Sequence, residues 1–230
     1  MTLINGDCND HLKNYPDNYF DFGTFDPPYG IKEDGKKNAS RGLKARTGNY
    51  VHHGWDNEPP AAETFLQIKR ICKHWLIFGA NYYAPLVDPY KTPRRDFYDQ
   101  WLDEYPAAWV AWDKDNGLTD FNDFELALTS FDLMPTQRVK FRWQGMLQGD
   151  MKNKQIRIHA TEKPIPLYAW IFRQFTQPGM RVIDSYMGSG ASAVAAYFAG
   201  LDYTGIEKHP GIFTEAVIRT NKLITQTKLL

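Results

Sequence analysis

The chain has 230 residues, 43% of them hydrophobic and 15% aromatic. A chain of this length buries about three-quarters of its unfolded surface without a disulfide or metal staple, and this composition excludes a disordered or fibrous protein. Lysine plus arginine equals aspartate plus glutamate at 27 each, so bulk charge announces no nucleic-acid partner.

Cys8 and Cys72 form no C-x-x-C, and the histidines form no H-E-x-x-H, so no metal site is assigned. The opening MTLINGD is too polar for a signal peptide. The apolar stretch WLIFGANYYAPLV at 75–87 is short of the roughly 18–20 residues that a membrane span needs. A cytoplasmic protein without a membrane partner is expected.

In chain order, seven short β-prone runs bounded by turn residues read as strands. They are TLIN (2–5), YFDFGTF (19–25), WLIFG (75–79), AAWVAW (107–112), FELALTS (124–130), RVIDS (181–185) and DYTGI (202–206). Helical patterns fall between most of them, at 61–75, 164–175, 191–200 and 212–225. Strands alternating with helices predict an α/β fold with a mainly parallel sheet covered on both faces. The polar link WDKDNGLTDFND leaves no room for a crossover helix, so AAWVAW and FELALTS should pair antiparallel at one edge of the sheet. No linker or repeat divides the chain, and residues 1–230 read as one domain.

Charge is nevertheless uneven. Residues 30–54 carry Lys32, Lys36, Lys37, Arg41, Lys44 and Arg46 against Glu33 and Asp34. Residues 136–163 carry Arg138, Lys140, Arg142, Lys152, Lys154, Arg157 and Lys163 against Asp150 and Glu162. Neither segment has a clean helix or strand period. Two basic irregular segments in a neutral protein suggest a localised anionic partner.

Two motifs carry chemistry. In DSYMGSGASAVAAYFAG (184–200) a strand ends at Asp184, and a turn of Gly188, Ser189 and Gly190 opens a helix of small residues. Such a turn lets backbone approach a ligand and offers free N–H groups. Glu207, ending the next strand, could accept both hydroxyls of a ribose. This motif alone also fits a dinucleotide fingerprint. The second motif, FDPPYG (25–30), follows a strand. Pro27 and Pro28 fix φ and remove donors, leaving a stiff loop of acceptors. The Asp26 carboxylate and the Pro27 carbonyl can grip one NH2 group, and Tyr29 offers a ring for a planar base. Two acceptors on an exocyclic amine favour a pyramidal nitrogen and stabilise its developing positive charge.

FDPPYG, DSYMGSG and TEKP (161–164) together resemble the amino-methyltransferases that methylate exocyclic nitrogens of DNA bases with S-adenosylmethionine. The resemblance covers almost the whole chain. The D-P-P-Y form is associated mainly with adenine N6, and the catalytic motif preceding the cofactor motif is similar to the β-class order. The resemblance implies a seven-stranded sheet with one antiparallel edge hairpin strand, a Rossmann-like methyltransferase fold circularly permuted to begin at its third strand. By position it implies that Asp26, Pro27, Pro28 and Tyr29 bind and activate a flipped base. Asp184, Gly188, Ser189 and Gly190 would hold the methionine moiety and Glu207 the ribose. Asp7 and Cys8 would lie at the cofactor adenine, and Thr161 and Lys163 near the cofactor carboxylate. Where the family commonly has Pro and Phe, this chain has Ser185 and Tyr186, and Tyr186 keeps an aromatic near the sulfonium.

Recognition is expected from a short segment, 131–160, as an insertion, assisted by a basic mobile loop, 31–54. Lys36, Lys37, Arg41, Lys44, Arg46, Arg138, Lys140, Arg142, Lys152 and Lys154 would then meet the phosphates of double-stranded DNA, with a short or relaxed target. The same motifs fit N4-cytosine or RNA methylation. A nicotinamide oxidoreductase and a non-catalytic DNA-binding module are the rival classes, and a homodimer stays open.

Overall fold

Along the third strand of the sheet, Trp75 and Ile77 point into one apolar cluster and Leu76 and Phe78 into another. That alternation, buried on both sides, is the mark of a strand covered by two layers. The computed structural model describes residues 1–31, 56–83, 109–116, 122–131, 136–144, 147–152, 157–158 and 161–227. Its strands are β1 (Thr2–Asn5), β2 (Phe20–Phe25), β3 (Cys72–Phe78), β4 (Trp109–Asp113), β5 (Phe124–Thr129), β6 (Gln137–Lys140), β7 (Trp143–Gln144), β8 (Leu147–Gln148), β9 (Arg181–Asp184) and β10 (Asp202–Glu207). Its helices are α1 (Cys8–Leu12), α2 (Ala62–Ile71), α3 (Ala80–Tyr83), α4 (Ile165–Phe175), α5 (Ala191–Phe198) and α6 (Pro210–Thr227).

The main sheet has the order β1-β10-β9-β2-β3-β5-β4-β6, and β7 and β8 form a separate hairpin. The α/β class and the mainly parallel sheet are as expected, with β5 the strand antiparallel to both its neighbours. Two details differ. Among the described residues the sheet has eight strands, because β6 adds in parallel to β4. The β4–β5 hairpin is therefore covered and does not form the edge. The segment QRVK has little period of its own, yet Val139 turns inward and is buried while Arg138 and Lys140 stay exposed. Outward charges on an edge strand also discourage pairing with another chain.

The second difference lies at 61–75. The helix stops at Ile71, and β3 starts at Cys72 without a loop. Cys72 registers against Phe20 of β2, so a ladder to a distant strand overrides the helical spacing that continues to Trp75. Phe65, Ile68 and Ile71 of α2 are buried against the sheet, each contributing about 1.5–3 kcal/mol of transfer free energy.

The connection from β9 through α5 leads to β10 on one side, and that from β2 through α2 leads to β3 on the other. The strand order thus reverses between β9 and β2, which are parallel neighbours with Gly23 opposite Ile183. Ligands bind outside the carboxyl ends of strands at such a switch point. Among the described residues no helix is long and apolar enough to cross a membrane.

Candidate active site

Asp26 follows directly on β2 and Asp184 ends β9, so the two motifs, remote in sequence, meet at the carboxyl ends of two neighbouring interior strands. They are close enough for the charge of Asp26 to act on Asp184. Asp26 Oδ1 accepts a hydrogen bond from the Tyr29 hydroxyl at 2.8 Å. Asp26 Oδ2 meets Lys163 Nζ at 2.5 Å, and the same ammonium lies 3.1 Å from Glu125 Oε2. Lys163 also donates to the Tyr29 hydroxyl at 3.2 Å and sits 4.5 Å above the Phe78 ring centroid. Lys114 pairs with the other oxygen of Glu125 at 2.5 Å. The Lys163 side chain is only 4% exposed and those of Asp26 and Glu125 20%.

Burial and charge set the titration of this cluster. Burial pushes the Asp26 carboxyl above its ordinary value, with Lys163 pulling the other way and Glu125 adding to the push. For Glu125, burial is outweighed by Lys163 and Lys114, which hold its carboxyl down to about 2. Burial opposes the charge of Lys163, yet Asp26 and Glu125 hold its ammonium above the ordinary value. Two carboxylates and two ammoniums thus form a compensated group where an unpaired charge would be costly.

Tyr29 is held in place from several sides. Its ring lies against Gly79, where an added Cβ would come within 2.2 Å of it, and Gly79 has φ +68°. Tyr82 of α3 stacks on it with centroids 4.9 Å apart and planes 18° apart. Asn122 donates to the Tyr82 hydroxyl at 3.2 Å. Tyr29, where a base platform is expected, is thus one ring of a two-ring stack whose outer member, Tyr82, is exposed. The loop after Tyr29 is closed by Asp56, a buried acid that accepts the Gly30 amide at 2.8 Å.

At β9 the glycine turn behaves as its sequence predicts. Gly188 and Gly190 have positive φ, and a Cβ on Gly190 would lie 2.8 Å from Thr220 Oγ1 of α6. Ser189 is buried in the turn. Glu207 caps the arrangement: its Oε2 accepts the Gly188 amide at 3.0 Å and its Oε1 the His209 amide at 2.7 Å. Burial raises its carboxyl above the ordinary value against those amides. Asp184 lies fully buried beneath the turn, with Oδ1 accepting the Tyr186 amide at 2.9 Å. Its Oδ2 has no hydrogen-bond partner among the described residues, and burial raises its carboxyl to about 7. After β1, Asp7 caps α1 by accepting the Asn9 amide and pairs with Lys208 at 2.7 Å. Cys8 is buried, its thiol pushed up to about 11 by burial. Asp7, Cys8, Tyr186, Gly188, Gly190 and Glu207 are thus gathered at one end of β1, β9 and β10. Thr161 is exposed, while Lys163 reaches Asp26.

Of the expected phosphate contacts, Lys36, Lys37, Arg41, Lys44, Arg46 and Lys154 lie outside the described residues, as does the loop 31–54 beyond Ile31. Arg138 pairs with Asp113, and Lys140 and Arg142 both pair with Asp115 at 2.7 Å. All three side chains remain half or more exposed, and Lys152 is exposed near the β7–β8 hairpin. Glu162 ties this segment down. Its carboxylate accepts from Arg219 of α6 at 2.5 Å and from the Ile158 amide at 2.8 Å. Its carbonyl accepts the Trp143 indole at 2.7 Å.

Glu125 and Asp56 are the residues of this cluster that sequence reading missed, while Tyr82 and Lys114 fall in GANYY (79–83) and VAWDKDNG (110–117), segments similar to family segments that flank the base pocket. A glutamate inside the run FELALT was the available signal, but only the pairing of β4 with β5 and the approach of Lys163 give it partners. Among the described residues no group of three or more His, Cys, Asp or Glu could hold a metal ion.

This arrangement has counterparts among known proteins. A family model for DNA methylases of the N6/N4 type matches residues 132–217. The type II methyltransferase M.HinfI of Haemophilus influenzae is 23% identical over 238 residues, covering 90% of this chain, which spans 64% of that protein's length. The type II methyltransferase M2.MboI of Moraxella bovis is 23% identical over 236 residues, covering 90% of this chain and 83% of that protein. In fold, the M1.HpyAVI–SAM complex superposes with a TM-score of 0.54 at 18% identity, covering 96% of this chain and 98% of the other. The cytosine-N4-specific PvuII DNA methyltransferase gives 0.56 at 14% identity, covering 97% and 89%. In sequence along nine-tenths of its length and in fold, the chain is similar to DNA methylases of the N6/N4 type.

Proposed function

We propose that this protein methylates an exocyclic amine of a base in double-stranded DNA, adenine N6 in the first place, using S-adenosylmethionine. The observation that carries the reading is Asp26, an acceptor on a proline-stiffened loop, beside the glycine turn of β9 at the strand-order reversal. S-adenosylmethionine is the methyl donor of the family, and the residues fit it. The turn has two glycines at positive φ where a Cβ on Gly190 would be crowded. Glu207, partly exposed and fixed by two amides, has lone pairs left for ribose hydroxyls. Asp7 and Cys8 line the adenine end, and Ser189 and Tyr186 flank the turn.

The cofactor, when bound, supplies an electrophilic methyl on a sulfonium. The chain supplies position and charge. A target base leaves the duplex, at a cost of a few kcal/mol, and its amine is received by Asp26 and the Pro27 carbonyl. Those acceptors localise the nitrogen lone pair and offset the positive charge that grows on it. Held by the glycine turn and Glu207, S-adenosylmethionine would give up its methyl to that nitrogen and keep the S–C electron pair. The nitrogen then sheds one proton, for which Asp26 is the base in contact. Tyr29, held against Gly79, gives the base its stacking surface once Tyr82 swings aside. Pro28 keeps the loop from collapsing onto the site. Arg138, Lys140, Arg142 and Lys152, with the cations of 31–54 and Lys154, supply the phosphate contacts, and affinity should fall steeply with salt.

The test is transfer of labelled methyl from S-adenosylmethionine to unmethylated duplex DNA, followed by nucleoside mass spectrometry. N6-methyladenine, lost in Asp26→Ala with cofactor binding retained, supports the proposal. N4-methylcytosine would move the target but keep the mechanism. Near wild-type turnover by Asp26→Ala would refute it.

A further inference from the structure

We propose that Lys163 is a positioning residue for Asp26, and that Glu125 takes over its ammonium when a target amine enters. The inference rests on the proposed methyl transfer, since it concerns how Asp26 becomes free to accept.

Both Asp26 oxygens are already engaged, Oδ1 by the Tyr29 hydroxyl and Oδ2 by Lys163. An incoming amine needs an acceptor, so one of these donors must leave. Lys163 can do so with little loss. Its ammonium is 3.1 Å from Glu125 Oε2, an oxygen that lacks a hydrogen bond of good geometry. A short swing of Nζ therefore exchanges one carboxylate for the other without leaving the ammonium unpaired, while the incoming amine takes its place at Asp26. Lys114 remains on the other oxygen of Glu125. The backbone of Lys163 is fixed on both sides, by the ties of Glu162 to Arg219, Trp143 and Ile158 and by Pro164 at the start of α4. Only the side-chain end has freedom to move.

This assignment differs from the one implied by family resemblance, in which Lys163 serves the cofactor carboxylate. The groups acting on Asp26 come from several elements: Lys163 before α4, Glu125 of β5 and Tyr29 of its own loop. Tyr168 of α4 and Asp184 of β9 also feel its charge, while Lys114 and Tyr82 act through Glu125. Lys163 and Glu125 push the Asp26 titration in opposite directions, which gives the test its form.

The measurement is the midpoint of the Asp26 carboxyl by carbon NMR in the cofactor-free protein. It is paired with the pH dependence of single-turnover methyl transfer and with calorimetric titration of S-adenosylmethionine. Lys163→Met should raise the Asp26 midpoint and move the acid limb of the rate up by about one pH unit or more. Glu125→Gln should move both downward, and Lys163→Arg should restore the wild-type limb. Cofactor affinity should stay unchanged in all three. Weakened cofactor binding by Lys163→Met with an unmoved Asp26 midpoint would overturn the proposal in favour of the carboxylate role. If Lys163→Met does not fold, Glu125→Gln decides alone, and a midpoint that fails to fall overturns the proposal. Unmoved midpoints in an active wild-type enzyme refute this inference alone, whereas no transfer by the wild type refutes the function on which it rests.

Discussion

Gly79→Ala should be among the most damaging single-methyl changes available to this protein, for two separable reasons. The residue has φ +68°, a conformation that costs an L-residue with a Cβ about 1–2 kcal/mol. The added Cβ would also lie 2.2 Å from Tyr29 Cε1 and 2.5 Å from its Cδ1. Tyr29 has little room to yield, being bonded to Asp26 on one side and stacked on Tyr82 on the other. Overpacking of that kind costs about 1–3 kcal/mol. Together these give about 2–5 kcal/mol, or a fall in Tm on the order of 10 °C for a chain of this size. Gly179→Ala is the control, because Gly179 has φ +87° but nothing within 4 Å of the place its Cβ would take. It should lose only the backbone part. Urea unfolding of the two variants isolates the clash with Tyr29, and adding Tyr29→Ala to Gly79→Ala should recover that part. Gly79→Ala no less stable than Gly179→Ala, with wild-type methyl transfer, would refute the idea that Gly79 exists to seat Tyr29.

Other outcomes follow from the same contacts. Asp184 has a folded pKa of about 7, above its ordinary 3.8, so the native state holds its proton more tightly. That stabilisation is complete below the ordinary value and is lost as pH rises towards 7. The span of about three pH units is worth on the order of 4 kcal/mol, and Asp184→Asn should flatten the decline in urea melts between pH 4.5 and 8. Glu162→Ala removes a buried carboxylate from Arg219 and should cost about 3–5 kcal/mol, whereas Lys13→Ala, at an exposed pair with Asp10, should stay within about 1 kcal/mol. Gly190→Ala meets positive φ and Thr220 Oγ1 at 2.8 Å. It should weaken S-adenosylmethionine binding in calorimetry more than it lowers stability. Replacing Lys140 and Arg142 by alanine should reduce the slope of log affinity against log salt by about 2, while a slope unchanged from wild type would remove this edge from the DNA surface.

Much of the fold was legible because its signals are local. The runs TLIN, RVIDS and DYTGI are short, apolar and bounded by turn residues, and each is a strand within a residue of its expected limits. The small-residue helix after Gly190 and the proline at the start of α4 are likewise signals a chain carries without its partners. The end of α2 is not legible in this way, because Cys72 chooses the strand only when Phe20 stands beside it. The eighth strand escapes notice because QRVK has one apolar residue, and its hydrogen-bonding partner is β4 rather than a sequence neighbour.

For the site, the chemical types are readable in the chain: an acid before two prolines and a tyrosine, a glycine turn before a helix, an acid at the end of the next strand. Those residue types act through backbone conformations and donor patterns that are set within a few residues. Which of them meet depends on the tertiary structure, which places β2 next to β9. It also gave Lys163 its partners. A lysine just ahead of a helix carries no sign of what it will face, and its role depends on Asp26 and Glu125 arriving from two other strands. Cations within reach decide the rest, since burial raises the Asp184 carboxyl to about 7 whereas Lys163 and Lys114 hold the Glu125 carboxyl down to about 2.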